Sequence, residues 1–128
     1  MRVLLDTHAL LWWFAGDPQL SPTARRGISD ESNDIFVSSA SAWEVTTKYR
    51  LGKLPGAGPL AVDFAREIRA QGFFALPISL EHGQAAGSLR GEHRDPFDRM
   101  LIAQAQQERM AIVSNETIFD AFGVARIW

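Results

Sequence analysis

Four acidic residues stand where chemistry could be done: Asp6, Glu44, Asp98 and Glu116. Asp6 ends the apolar run "RVLL", and Glu116 follows the run "MAIVS" by two residues. Glu44 and Asp98 each fall in the predicted first turn of a helix. Asp98 is in phase with Leu101, Ile102 and Ala105, so it lies on the apolar stripe of its helix. An ionised carboxylate pointing inward is costly unless it is paired or bound to metal. Several such carboxylates, with no matching buried lysine or arginine, repel each other and are stable only if protonated or holding a cation. Oxygen ligands without thiolate or a histidine pair favour Mg²⁺ or Mn²⁺ over zinc. An ion of that kind activates water and stabilises charge on a phosphate, which points to phosphodiester hydrolysis.

Each acid also has a purely structural reading. Asp95 as N-cap, Pro96 at the first helical position and Asp98 at the third make a regular helix start, and an acid there complements the helix dipole. Ser41-Ala-Trp-Glu44 matches the capping box. Asp6 could cap the helix that follows it. The spacing alone leaves cap and ligand both open.

The elements that must position these acids alternate between short apolar runs and longer helical patterns, the signature of an α/β domain with a mostly parallel sheet of four to five strands flanked by helices. Strands are predicted at 2–5, 34–38, 73–78 and 110–114, with a short last one at 125–128. Helices are predicted at 7–16, at 21–29 with Ser21 as N-cap and Pro22 at its first position, at 41–53, and at 59–72 closing on Gly72. Two more follow at 79–89 and from Pro96 onward. The stretch "LGKLPGAGP" reads as a loop within the domain. In an open parallel sheet, ligands sit beyond the carboxyl ends of the strands, near the point where strand order reverses. Asp6 and Glu116 are expected there.

The 128 residues make one domain over 1–128. Apolar residues at 46% and charged residues at 22% are an ordinary globular balance. The absence of cysteine excludes disulfides, thiolate metal sites and a cysteine nucleophile. No apolar run approaches the roughly 20 residues of a membrane helix, and no secretory cleavage pattern follows the N-terminus, so a cytoplasmic protein is expected. A net charge of −2 gives no global pull toward nucleic acid, although basic residues gather locally around Lys48 and Lys53 and around Arg94 and Arg99. His8, His82 and His93 share no ligand spacing and are expected to be structural or on the surface. Trp12, Trp13 and Phe14 are too many for one helix face, so some are expected either in the core or against another chain.

Four segments in order, "LLDTHALLWW", "SSASAWEVTTKYRLGKL", "HRDPFDRMLIAQAQQE" and "AIVSNETIFDAFGV", resemble a PIN-domain ribonuclease of the VapC toxin type. That resemblance implies a metal-dependent endoribonuclease with a PIN-like fold, usually homodimeric and held inactive by a cognate antitoxin. It implies that Asp6, Glu44 and Asp98 hold Mg²⁺ or Mn²⁺ and that Asp95 is the cap, with an outer role at most. The fourth position departs from the family's usual Thr-x-Asp: Ser114-Asn115-Glu116 keeps the carboxylate but lengthens it. Asn115 or Asp120 is then expected to substitute in part. Thr7, Ser39 and Ser114 are expected as supporting hydroxyls. Arg94, Arg99, Lys48 and Lys53 are candidates for contacts to the RNA backbone.

Two rival readings remain at this level. The first is a catalytically inactive module of the same fold that binds protein or RNA, with the acids only capping helices. A phosphatase with Asp6 as nucleophile is the other, but the second aspartate it needs two residues on is replaced by His8.

Overall fold

The computed structural model describes residues 1–91 and 95–128. Its centre is β1 (Arg2–Leu5), whose Val3, Leu4 and Leu5 are fully buried. A strand covered on both faces needs apolar residues without alternation, and "VLL" supplies them. Val3 and Leu5 face one hydrophobic cluster and Leu4 the other. The first cluster is closed by α1 (Thr7–Ala15), α2 (Pro22–Ser29), α3 (Ser39–Arg50) and α5 (Phe64–Ala70). The second is closed by α7 (Pro96–Glu108) and α8 (Ile118–Ala121). Fully burying a leucine side chain in such a layer contributes about 1.5–3 kcal/mol.

Beside β1 lie β2 (Asp34–Ser38) and β4 (Ala111–Val113), with β3 (Phe74–Leu76) and β5 (Arg126–Ile127) at the edges. The order β3-β2-β1-β4-β5 is parallel throughout, with Leu4 opposite Phe36 on one side and Ile112 on the other. The chain builds outward from β1 to β3. It then returns through α6 (Leu80–Ser88) and α7 to place β4 on the opposite side of β1, so strand order reverses between β1 and β4. All five expected strands form, and the third, fourth and fifth are shorter than the runs suggested. No helix among the described residues is long and apolar enough to cross a membrane.

Three local expectations are corrected. The helix expected from 41 begins at Ser39, because β2 runs straight into it and Ser38, still extended, accepts the Ala40 N–H at 3.0 Å as its N-cap. The Ser41–Glu44 capping box therefore does not form, and Glu44 lies in the second turn. The helix expected over 59–72 is split into α4 (Gly58–Val62) and α5 at Asp63, which leaves helical geometry and accepts the Arg66 N–H at 3.3 Å. A short polar side chain competes in this way for backbone N–H groups. The loop "LGKLPGAGP" contains a 3₁₀ turn, Pro55–Ala57.

Candidate active site

Asp6 and Glu116 stand beyond the carboxyl ends of β1 and β4, on the two sides of the strand-order reversal. The Asp6 N–H continues the ladder by donating to the Val113 carbonyl at 3.1 Å, which fixes where its side chain emerges. That side chain caps α1, accepting the Ala9 N–H at 2.7 Å, and also accepts from the Ser114 hydroxyl. Asp6 is only 3% exposed, and burial raises its pKa to about 6. The bonds from Ser114 and Ala9 and the charge of His8 oppose that rise, while Glu116 adds to it. Ser114 also accepts the Glu116 N–H at 3.0 Å, so one buried hydroxyl serves both acids. Glu116 is half-buried, with its carboxylate 3.7 Å from His8 Nδ1.

A second pair comes from the helices. Glu44 on α3 is 5% exposed; its Oε2 receives Lys48 Nζ at 2.5 Å, one turn further along the helix. Its Oε1 is buried and has no partner. The hydrogen bond to Glu44 raises the Lys48 pKa, burial works against it, and the charges of Glu44, Asp95 and Asp98 add to the rise. Lys48 therefore sits in the field of three acids. Asp95 caps α7 as expected, accepting the N–H groups of Phe97 at 2.9 Å and Asp98 at 3.2 Å, and so holds half-buried Asp98 in the first turn. The two groups of acids are tied together where Thr7 Oγ1 meets Ser41 Oγ at 3.0 Å, next to Asp6 on one side and a turn before Glu44 on the other.

Among the described residues, no three His, Asp or Glu side chains stand close enough together to hold one metal ion. The structure thus shows Asp6 in the field of Glu116, and Glu44 and Asp98 both in the field of Lys48, not a closed ring. The donors nevertheless fit a hard divalent cation. The Glu44 Oε1 oxygen lacks any partner in a buried position, and the Asp6 carboxylate is ionised there only against its own desolvation. A bound cation would relieve either cost.

The remaining expected residues divide. Ser39 is exposed and donates to the Leu76 carbonyl at 3.4 Å, so the hydroxyls beside the acids are those of Ser114, Thr7 and Ser41. Asn115 is exposed. Asp120 is not available as a substitute acid: both its oxygens are taken by Arg126, at 3.0 and 3.2 Å. Arg99 donates through Nη2 to the carbonyls of Ala86 at 3.0 Å and Leu89 at 2.6 Å, tying α7 to the end of α6. Lys53 is exposed, beside a groove shared with His8 and Trp12. Arg94 and His93 lie outside the described residues. His82 is buried and structural, its Nδ1 accepting the Ser79 N–H at 3.0 Å in the cap of α6. Trp12, Trp13 and Phe14 are all half-buried and pack against the core; Trp13 donates to Gln71 Oε1 at 3.0 Å, and its ring lies tilted against that of Phe73. Sequence reasoning missed Ser38, Ser41 and Gln104. The signal for Gln104 was present: it interrupts the apolar stripe of Leu101, Ile102 and Ala105.

The sequence pattern of the PIN domain matches residues 3–125. This chain belongs to the PIN-domain family. A curated relative, Ribonuclease VapC16 of Mycobacterium tuberculosis, is 41% identical to the PIN-domain chain over 59 residues, which are 46% of this chain and 40% of that protein. The match thus spans less than half the length of the relative. Among solved structures, VapBC2 from Rickettsia felis bound to a promoter DNA fragment superposes with a TM-score of 0.71 at 17% identity, covering 98% of this chain and 97% of that one. A toxin–antitoxin complex from Klebsiella pneumoniae matches with a TM-score of 0.61 at 22% identity, over 90% and 87% of the two chains. Both likenesses show that the PIN fold is shared. In that fold the first acid, Asp6, occupies the strand-order reversal at which a ligand is expected.

Proposed function

We propose that this PIN-domain chain is an endoribonuclease that hydrolyses RNA phosphodiester bonds with Mg²⁺ or Mn²⁺, as the toxin of a toxin–antitoxin pair. The observation that carries the reading is the unpartnered, buried Oε1 of Glu44, together with a second buried acid, Asp6, whose ionisation is opposed by its burial. Asp6, Glu44 and Asp98 would hold the cation, with Glu116 closing the set from β4. When bound, the ion supplies an activated water and neutralises charge on the phosphate. The protein's own work is positional. Ser114 orients Asp6 and the backbone of Glu116; Thr7 and Ser41 join the two acid pairs; Asp95 holds Asp98 in the first turn of α7. Lys48 would release Glu44 toward the cation and, being one-third exposed, would turn to the RNA backbone along with Lys53, Arg94 and Arg99.

The relative named a ribonuclease and the neighbour described as a toxin–antitoxin complex support this activity and an antitoxin partner. An apolar groove of about 390 Å³, lined by Trp12, Phe14, Leu54 and Pro55 among others, offers an antitoxin segment a surface. A homodimer working in the cytoplasm completes the reading. Cleavage of RNA by purified protein with Mg²⁺, compared with Asp6→Asn and Asp98→Asn, is the test. Loss of at least a hundredfold in rate is expected. Wild-type rates in both variants would overturn the assignment, and calorimetry showing no Mn²⁺ binding would favour an inactive binding module.

A further inference from the structure

Gln104 is fully buried in α7 among Leu101, Ile102 and Ala105. A buried amide is costly unless its polar atoms are bonded. Its Oε1 accepts the Ser38 hydroxyl at 2.5 Å, and its Nε2 donates to the Pro77 carbonyl at 3.3 Å and lies 3.4 Å from His82 Nδ1. Ser38 is itself held from the other side, since its oxygen accepts the Ala40 N–H as the N-cap of α3. One side chain therefore joins α7, the start of α3 and the connection between β3 and α6.

We propose that Gln104 is a positioning residue that sets the separation of Glu44 and Asp98 by locking α7 against the capped start of α3. This rests on the metal-dependent reading above. Glu44 lies within two turns of Ser38 on α3, and Asp98 within two turns of Gln104 on α7. Over that distance a helix is a rigid rod, so a bond between Ser38 and Gln104 fixes how the two acids face each other. Stability alone does not call for an amide here. A leucine fills similar volume without the desolvation cost, and replacing a bonded polar pair by apolar groups is often neutral. What an apolar contact lacks is direction. The Ser38–Gln104 bond is satisfied at one relative placement of the helices, whereas leucine against alanine tolerates sliding.

The test compares wild type with Gln104→Leu and Ser38→Ala, all at a temperature where circular dichroism shows each one folded. Two readouts are taken: the Mn²⁺ dissociation constant by calorimetry, and kcat and KM on RNA. Gln104→Leu is expected to weaken Mn²⁺ binding about tenfold, the usual scale for residues that orient ligands, and to lower kcat with KM unchanged. Trp13→Phe, a control in the last turn of α1, at the opposite end from Asp6, should lose thermal stability without moving either readout. Wild-type Mn²⁺ affinity and kcat in a folded Gln104→Leu protein would overturn the proposal. If that variant does not fold, Ser38→Ala decides on the same criteria. A wild-type protein that binds Mn²⁺ but cuts no RNA would remove the ribonuclease reading and leave the Mn²⁺ comparison to decide this one. A wild type that binds no Mn²⁺ would overturn both.

Discussion

At the scale of single residues, Asp6 caps a helix and, under the proposed function, would also hold the cation. Its Oδ1 starts α1 while its carboxylate stands at the rim where a cation would sit. Its burial has a consequence for stability. The folded pKa of about 6 lies above the ordinary value of 3.8, so between those values the native state binds more protons than the unfolded chain. Stability of the metal-free protein should therefore fall as pH rises from about 4 to 6 and level off above. The contribution is roughly 2–3 kcal/mol for a shift of this size. Urea unfolding across that range, in wild type and in Asp6→Asn, checks it: the asparagine keeps a capping oxygen, and the decline should shrink. Lys48 supplies the second prediction. Replacing it with methionine leaves Glu44 buried with neither oxygen neutralised, which should cost about 1–2 kcal/mol after allowance for the partial exposure of the pair. Thermal melts without metal should show the loss, and saturating Mn²⁺ should recover most of it.

At the scale of elements, the helix ends carry the design. Asp95 with Pro96 opens α7, Ser21 with Pro22 opens α2, and both were readable because the capping residue and the proline are adjacent in the chain. Ser38 was not readable as a cap, because it is also the last residue of β2 and no turn residue marks the change. The break at Asp63 was missed for a related reason: "PLAVDFAREI" keeps a helical apolar rhythm through the interruption. At its other end α7 closes on Arg109, which adopts φ 54° and ψ 49°, a left-handed conformation that costs a non-glycine residue about 1–2 kcal/mol. Arg109→Gly should relieve part of this, offset by the greater entropy of glycine in the unfolded chain. A gain of up to about 1 kcal/mol, read as a rise of a few degrees in Tm, is expected.

For the molecule as a whole, the site is assembled by strand order. β1 and β4 are distant in sequence yet adjacent in the sheet, and only their pairing puts Glu116 beside Asp6. The acids of the two pairs come from four separate elements, so a ligand joining them stabilises the entire fold. Mn²⁺ at a hundred times its dissociation constant should add about 2.7 kcal/mol. A chelator should return the Tm to the metal-free value, and Asp6→Asn should abolish the shift. If Mn²⁺ leaves the wild-type Tm unmoved, the four acids do not act on a common cation.

Local chemistry determined much of this protein from sequence alone. Apolar runs specified five strands, and proline beside a capping side chain specified two helix starts, Asp95 with Pro96 among them. Tertiary structure alone decided the rest. It turned Ser41 from a cap into the partner of Thr7, gave both oxygens of Asp120 to Arg126, engaged Arg99 with the end of α6 and brought Gln104 to Ser38. Each of these pairs joins side chains whose meeting depends on how helices and strands pack. Hydrophobic periodicity says which face of an element turns inward, but it does not say which polar atom will be waiting there.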